Sequence, residues 1–529
     1  MKTNALVFLL SALLFLQPQL VTSQNYEIET GSEFTASSSQ SFRFLAKDES
    51  NYYYIQYNGP FSNPIQQRVY LKTLDKDLNP SSEKIVSLGK GREAESLEFA
   101  ITSKKKKSFI LSSRTDRKEK IHYLFSRKIN YDDFSLPTEG DVVVRTPFEG
   151  NSFFSNARYI LRASRDSSKF LVYTKLSSKK NDPEKFYFVV FDDEMKLIWE
   201  KEIILPFSDR LFKVQEARID NKGNIYLLGK RYRDKLKELV KGLPNYYHSL
   251  FFINKDGISA EFKVVTKEKI LTDMNLGIVN GQDIICSGVF REEESKKQGV
   301  FYFRVDAKDR GIIAKSYKYL DISMFGSKYE QEKINEQTNQ KKKEKMEEEL
   351  FKYYTFRDLV LREDGGSILI GESTYASVDG TKYESRTETR YYADYILLVM
   401  IDPQGEIEGT KLIQKSQTQL NSTRFISYSL SLHQNRLFFL FNDHIKNSNL
   451  KEGEGPWTYV AGALGTKANS GLSLTKFEDG VLAERKFLSS FADLDNFWVL
   501  PSISSQAFVG ESLIILRKKN KVKFGRVKY

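Results

Sequence analysis

Asp220-Asn-Lys-Gly-Asn-Ile-Tyr-Leu-Leu-Gly229 joins a tight turn to an apolar strand, and the pattern recurs along the chain. It returns in outline as Val279-Asn-Gly-Gln-Asp-Ile-Ile-Cys-Ser-Gly288, Arg362-Glu-Asp-Gly-Gly-Ser-Ile-Leu-Ile-Gly371 and Leu432-His-Gln-Asn-Arg-Leu-Phe-Phe-Leu-Phe441. Gly and Asn accept positive φ and Asp bonds its own backbone, so each copy reads as a turn feeding a buried strand. A second element alternates with the first. It runs an aromatic or β-branched strand into another turn, as in Leu250-Phe-Phe-Ile-Asn-Lys-Asp-Gly257 and Phe301-Tyr-Phe-Arg-Val-Asp306. Short strands of Ile, Val, Phe and Tyr between Asp/Asn/Gly turns are the mark of a β-meander.

Together the two elements make a unit of four strands, A to D, with tight A-B and C-D turns and a variable B-C loop. Units fall near 42–90, 95–147, 155–206, 212–268, 272–320, 355–416 and 425–488, and the tail adds three strands around Trp498, Ser512–Arg517 and Val522–Val527. The missing fourth strand is offered by Tyr26–Thr30 or by Phe34–Ala36. Closing a ring with strands from both ends removes the exposed sheet edges that promote aggregation. The fold class is therefore all-β, a β-propeller of eight blades by count, with seven as the alternative. Tandem β-sandwiches would explain the strands but not their grouping by four.

The stretch 220–229 resembles the innermost turn and strand of NHL-like and six-bladed bacterial propellers. That resemblance covers one unit well and the others in outline, and it implies architecture, not chemistry.

The N-terminus reads as a signal peptide over 1–23, leaving 24–529 as one propeller domain. Lys2 gives a basic start, Ala5–Leu16 an apolar core, and Val21-Thr22-Ser23 a cleavage site. The apolar run is shorter than the ~20 residues needed to cross a bilayer, and no later segment is long and apolar enough to be transmembrane. The expected location is thus secreted or in the cell envelope, including the periplasm. Cys286 is the one cysteine of the chain, which excludes an internal disulfide and reads as a small buried hydrophobe. A formal charge of +12 gathers at Lys104–Lys107, Lys341–Lys343 and the tail from Arg517. Export argues against nucleic acid as partner, and the lysines read as solvated loop tips and a helix face.

In a propeller the A-B and C-D turns share one face and the B-C loops and D-A links the other. Function is expected on that second face, where the loops are longer. The B-C segments 230–248, 372–394 and 442–471 supply Tyr246, Tyr247, Tyr375, Arg386, Arg390, Tyr391, Tyr392, Trp457 and Tyr459 as candidate binding residues. Leu236, Leu239 and Val240 predict a short helix inside 230–248. A charged insertion near 327–354, opened by Ser-Lys-Tyr-Glu, predicts a helix packed through Ile334, Met346, Leu350 and Phe351.

Histidines 122, 248, 433 and 444 show no metal-ligand spacing, there is no calcium loop, and no phosphate-cradling or serine-elbow motif occurs. No metal or cofactor is expected. The leading expectation is a monomeric, non-enzymatic module that binds a protein or surface glycan on the long-loop face. The alternative is a carbohydrate-active hydrolase or lyase whose carboxylates meet at the channel, a pairing that leaves no local motif. Asp358 and Glu372 are candidates for it.

Overall fold

In the computed structural model the chain forms eight antiparallel sheets, taken in order along the sequence. The structure describes residues 26–58, 69–89, 93–148, 158–176, 182–208, 211–240, 243–266, 269–279, 283–292, 297–326, 328–379, 388–449, 460–461, 469–501, 506–508 and 510–529. The signal peptide expected over 1–23 lies outside them.

Blades 1 to 5 start at Gln40, Ser96, Ile160, Phe212 and Lys269 and end at Val86, Pro147, Ser208, Val264 and Tyr319. Blade 6 runs from Tyr354 to Ile413 and blade 7 from Ser429 to Ser490. Blade 8 joins the two ends of the chain. Its strand Lys521–Lys528 pairs with Glu511–Lys518 on one side and with Ile28–Thr30 and Phe34–Thr35 on the other. Ile28 stands opposite Val527. Both N-terminal segments named from the sequence therefore fill the missing outer strand. The count is eight, not seven.

The core shows that the sheets form a closed ring. Eight apolar clusters each span two neighbouring blades, including one between blades 8 and 1 built on Phe42, Tyr54, Ile515 and Phe524. A strands of adjacent blades touch one another, so the A strands are innermost. The D strands carry the exposed residues, as in Pro80–Val86. Each sheet buries both faces, which explains strands that read as continuous apolar runs such as Ile284-Ile285-Cys286.

The turn at 220–224 works as its sequence suggests. The Asp220 carboxylate accepts from the amides of Lys222 and Asn224, and Gly223 sits at φ +91°. It connects strands A and B of blade 4.

Three local expectations are corrected. Residues 239–244 form a miniature hairpin, with Leu239 opposite Pro244, instead of a helix. Leu236, Leu239 and Leu243 are exposed, so their helical spacing marks no buried face. The segment 372–394 is not a free loop, because strand B of blade 6 continues to Asp379 and strand C begins at Glu388. The lysines at 104–107 are not simply solvated: Lys104 pairs with Asp166, and Lys105 and Lys107 with Glu194, tying the turns of blade 2 to those of blade 3.

Between blades 5 and 6 the described residues form a short helix, Ile322–Phe325, and the two insertion helices Lys328–Asn335 and Gln340–Lys352. Ile334 and Phe351 are buried, and Phe351 packs on the Phe325 ring against the cluster shared by blades 5 and 6. Among the described residues no helix is long and apolar enough to cross a membrane.

Candidate functional site

The long-loop end of blades 6 and 7 holds a concentration of buried polar side chains. Gln414-Lys-Ser-Gln-Thr-Gln419 follows strand D of blade 6, and all six residues are buried. Such a stretch reads as solvated linker in sequence. Here Gln417–Leu420 pairs with strand C and brings Lys415 inside.

Lys415 is fully buried, and its ammonium is met on three sides. Nζ lies 2.8 Å from Glu372 Oε1, and donates to Ala393 O at 2.8 Å and Gln417 Oε1 at 3.0 Å. Two of its three donors are used in hydrogen bonds, and the Glu372 carboxylate supplies the ion pair. Burial pulls the Lys415 pKa below the usual lysine range, against the raising effect of Glu372 and Asp394.

Two carboxylates flank this lysine. Glu372, on strand B, is 1% exposed, and its Oε2 accepts from Arg357 Nη2 at 2.7 Å and from Ser427 Oγ at 2.7 Å. Asp394, on strand C, accepts from Ser416 Oγ and the Gln417 amide, each at 3.3 Å. Burial raises the Asp394 pKa to about 6. Lys415 and the two hydrogen bonds oppose that rise, and the Glu330 carboxylate of the first insertion helix adds to it. Asp394 therefore changes charge near neutral pH while Glu372 is clamped between two cations.

Arg357 is placed by a β-bulge. Strand A of blade 6 slips register between Phe356 and Asp358, leaving Arg357 without a cross-strand partner. Matching slips in blades 1, 2, 4 and 5 release Leu45, Glu98, Gln215 and Thr272. Acids follow the bulge in blades 4, 5 and 6, at Glu216, Asp273 and Asp358. Two of these fasten neighbouring blades near the channel. Glu216 accepts from the Leu276 amide at 2.8 Å, and Asp358 accepts from Tyr428 Oη at 2.8 Å. Of the two acids suggested by sequence, Glu372 belongs to the buried cluster and Asp358 to this fastening. Burial raises the carboxyls of Glu98 and Asp273 as well.

Blade 7 adds a second buried pair beside the first. Asp443 is fully buried, takes a hydrogen bond from Asn447 Nδ2 at 2.8 Å, and pairs with Arg485. Gln417 Nε2 reaches Asn442 O at 2.8 Å, linking the strap of blade 6 to blade 7. Buried side-chain oxygens of Gln414, Thr418 and Ser429 have no hydrogen-bond partner within the protein.

The candidate binding residues lie in two separate blades and contribute packing. Tyr246 is buried and donates to Leu271 O at 3.0 Å, while Arg231 stands 5.5 Å over the Tyr247 ring. Tyr375 stacks on Tyr392 with centroids 4.4 Å apart, and Tyr353 joins them at 4.8 Å from Tyr375. Arg390 and Tyr391 face Ser377 and Ala376 across the same hairpin. Arg386, Trp457 and Tyr459 lie outside the described residues. Cys286 is buried and its thiol is pushed up to about 12 by burial, as befits a core residue. Sequence reasoning missed Lys415, Asp394 and Arg357, whose only local signal is a polar run after strand D and an acid facing it.

No family model matches the chain, and no curated protein matches it by sequence. Solved structures similar to it include the β-propeller domain of the trilobed protease from Pyrococcus furiosus. That match has 13% identity and a TM-score of 0.35, over 87% of this chain and 98% of that one. Acylaminoacyl peptidase from Pyrococcus horikoshii matches at 11% and 0.35, over 92% of this chain and 58% of its own. Prolyl oligopeptidase B from Galerina marginata matches at 11% and 0.36, over 92% and 56%.

At such identities the likeness concerns the fold alone. The expectation of a non-enzymatic interaction module is corrected on the site itself: the long-loop end holds the buried groups Glu372, Asp394 and Lys415, which agree better with the hydrolase or lyase alternative.

Proposed function

We propose that the protein is a hydrolase or lyase that cleaves a carbohydrate by acid–base chemistry at the channel mouth of blades 6 and 7, working after export from the cytoplasm. The observation that carries this reading is the pair Asp394 and Glu372 set about one fully buried lysine, with Asp394 held at about 6. A carboxyl that keeps its proton close to neutrality serves as general acid, and Glu372 is the second carboxyl group of the pair. Glycoside cleavage commonly uses a pair of carboxyl groups. Lys415 supports both roles by anchoring Glu372 and by limiting how far Asp394 rises.

The test is release of reducing ends or unsaturated products from a panel of neutral and acidic polysaccharides at pH 5 to 8. Wild type is expected to act on at least one, with Asp394→Asn and Glu372→Gln each lowering the rate by roughly 100-fold or more while remaining folded. Turnover undiminished in both variants, or no turnover on any polymer, would refute the proposal.

A further inference from the structure

We infer that Arg357 forms an anion-binding subsite at this mouth and that the substrate is a polysaccharide bearing carboxylate groups. The inference rests on the acid–base reading above and names its substrate class. Arg357 stands on the innermost strand of blade 6, near its long-loop end, where the bulge lifts it out of the ladder. Nη2 alone bonds both Glu372 and Ser427, at 2.7 and 2.6 Å, and the guanidinium lies 4.7 Å from the Tyr428 ring centroid. These contacts hold the group still while 43% of the side chain stays exposed.

An arginine held by Glu372, Ser427 and Tyr428 with 43% of its side chain exposed can still offer N–H donors to a carboxylate. Glu372 is shared between Arg357 and Lys415. Asp358 is the adjacent acid, and one of its oxygens is engaged by Tyr428. The equivalent bulge positions in four other blades carry Leu45, Glu98, Gln215 and Thr272. Arg357 is thus the cation among these bulge residues. A chain of net charge +12 further attracts a polyanion from a distance.

Binding is measured apart from turnover, by calorimetry in the Asp394→Asn background at 0.15 M salt. The probes are polygalacturonate and its fully methyl-esterified form. Expected is binding of the free acid at least tenfold tighter than of the ester. Arg357→Ala should remove that preference, and Arg357→Lys, which keeps the charge beside Glu372, should restore it only in part. Lys341→Ala, on the exposed insertion helix, should leave it intact and so exclude general charge attraction. Equal binding of acid and ester, or a preference that survives Arg357→Ala in a variant that melts like its parent, would overturn the subsite. Cleavage of neutral glycans alongside such a result would leave the acid–base reading standing. Arg357-dependent binding without cleavage of any polymer would do the reverse.

Discussion

Replacing Asp394 by Asn should make the protein more stable at alkaline pH and less active. The buried carboxyl titrates at about 6 against a usual 3.8, and that shift is worth about 3 kcal/mol. The folded state keeps a proton that the unfolded chain releases between about pH 4 and pH 6. Stability therefore falls as pH rises through that window and stays lower above it. Asparagine resembles the protonated acid. Its oxygen can still accept from Ser416 and the Gln417 amide, and it carries no charge to bury.

The variant should accordingly gain up to about 3 kcal/mol at pH 8 and only about 1 kcal/mol at pH 4.5. For a chain of this size the unfolding entropy converts that gain to roughly 3 °C in Tm. Calorimetric or fluorescence melting at the two pH values reads it directly. A gain at pH 8 coupled to lost turnover is the signature of a residue kept for chemistry at the expense of stability. An equal change at both pH values, or a loss confined to pH 8, would refute the reasoning.

Three further outcomes are expected. Lys415→Met leaves Glu372 and Asp394 buried without their shared cation and should cost about 3–5 kcal/mol in urea unfolding, part of which Glu372→Gln restores in the double variant. Removing residues 26–36 strips the outer strand from blade 8, and light scattering should show association through the bared edge of Lys521–Lys528; a monomer with unchanged melting would count against the closure. Ellman's reagent at pH 8 should leave Cys286 untouched in the folded protein and titrate one thiol after guanidinium, because burial holds the thiol protonated.

The ring was legible because its signals are local. Asp-Gly turns and alternating apolar strands recur within ten residues, so the unit read as 212–268 is observed as Phe212–Val264 and that read as 95–147 as Ser96–Pro147. The site was not, for the opposite reason. Gln414–Gln419 is polar throughout, and only its packing between blades 6 and 7 turns it inward. Lys104 finds Asp166 from a different blade, a partner no spacing reveals. Helical spacing at Leu236, Leu239 and Val240 misled because the residues pair as a hairpin. Glu372 could be named from sequence as an acid near the channel, but its two cations are assembled by tertiary structure.

The seam in blade 8 also sets an order in time. Glu29 pairs with Arg526 and Lys528, partners separated by nearly the whole chain. Loop-closure entropy rises only with the logarithm of length, so joining these ends costs about 2 kcal/mol more than closing a loop one-tenth as long. The expense is kinetic: seven blades can form while the last strand is still being made, yet none of them can finish the ring. Until Lys521–Lys528 arrives, the first strand has no partner and the channel wall has a gap between blades 7 and 1. The apolar cluster shared by blades 7 and 8 likewise waits for Leu516 and Val527. The proposed site itself needs only blades 6 and 7, so it can form before the ring that supports it is closed.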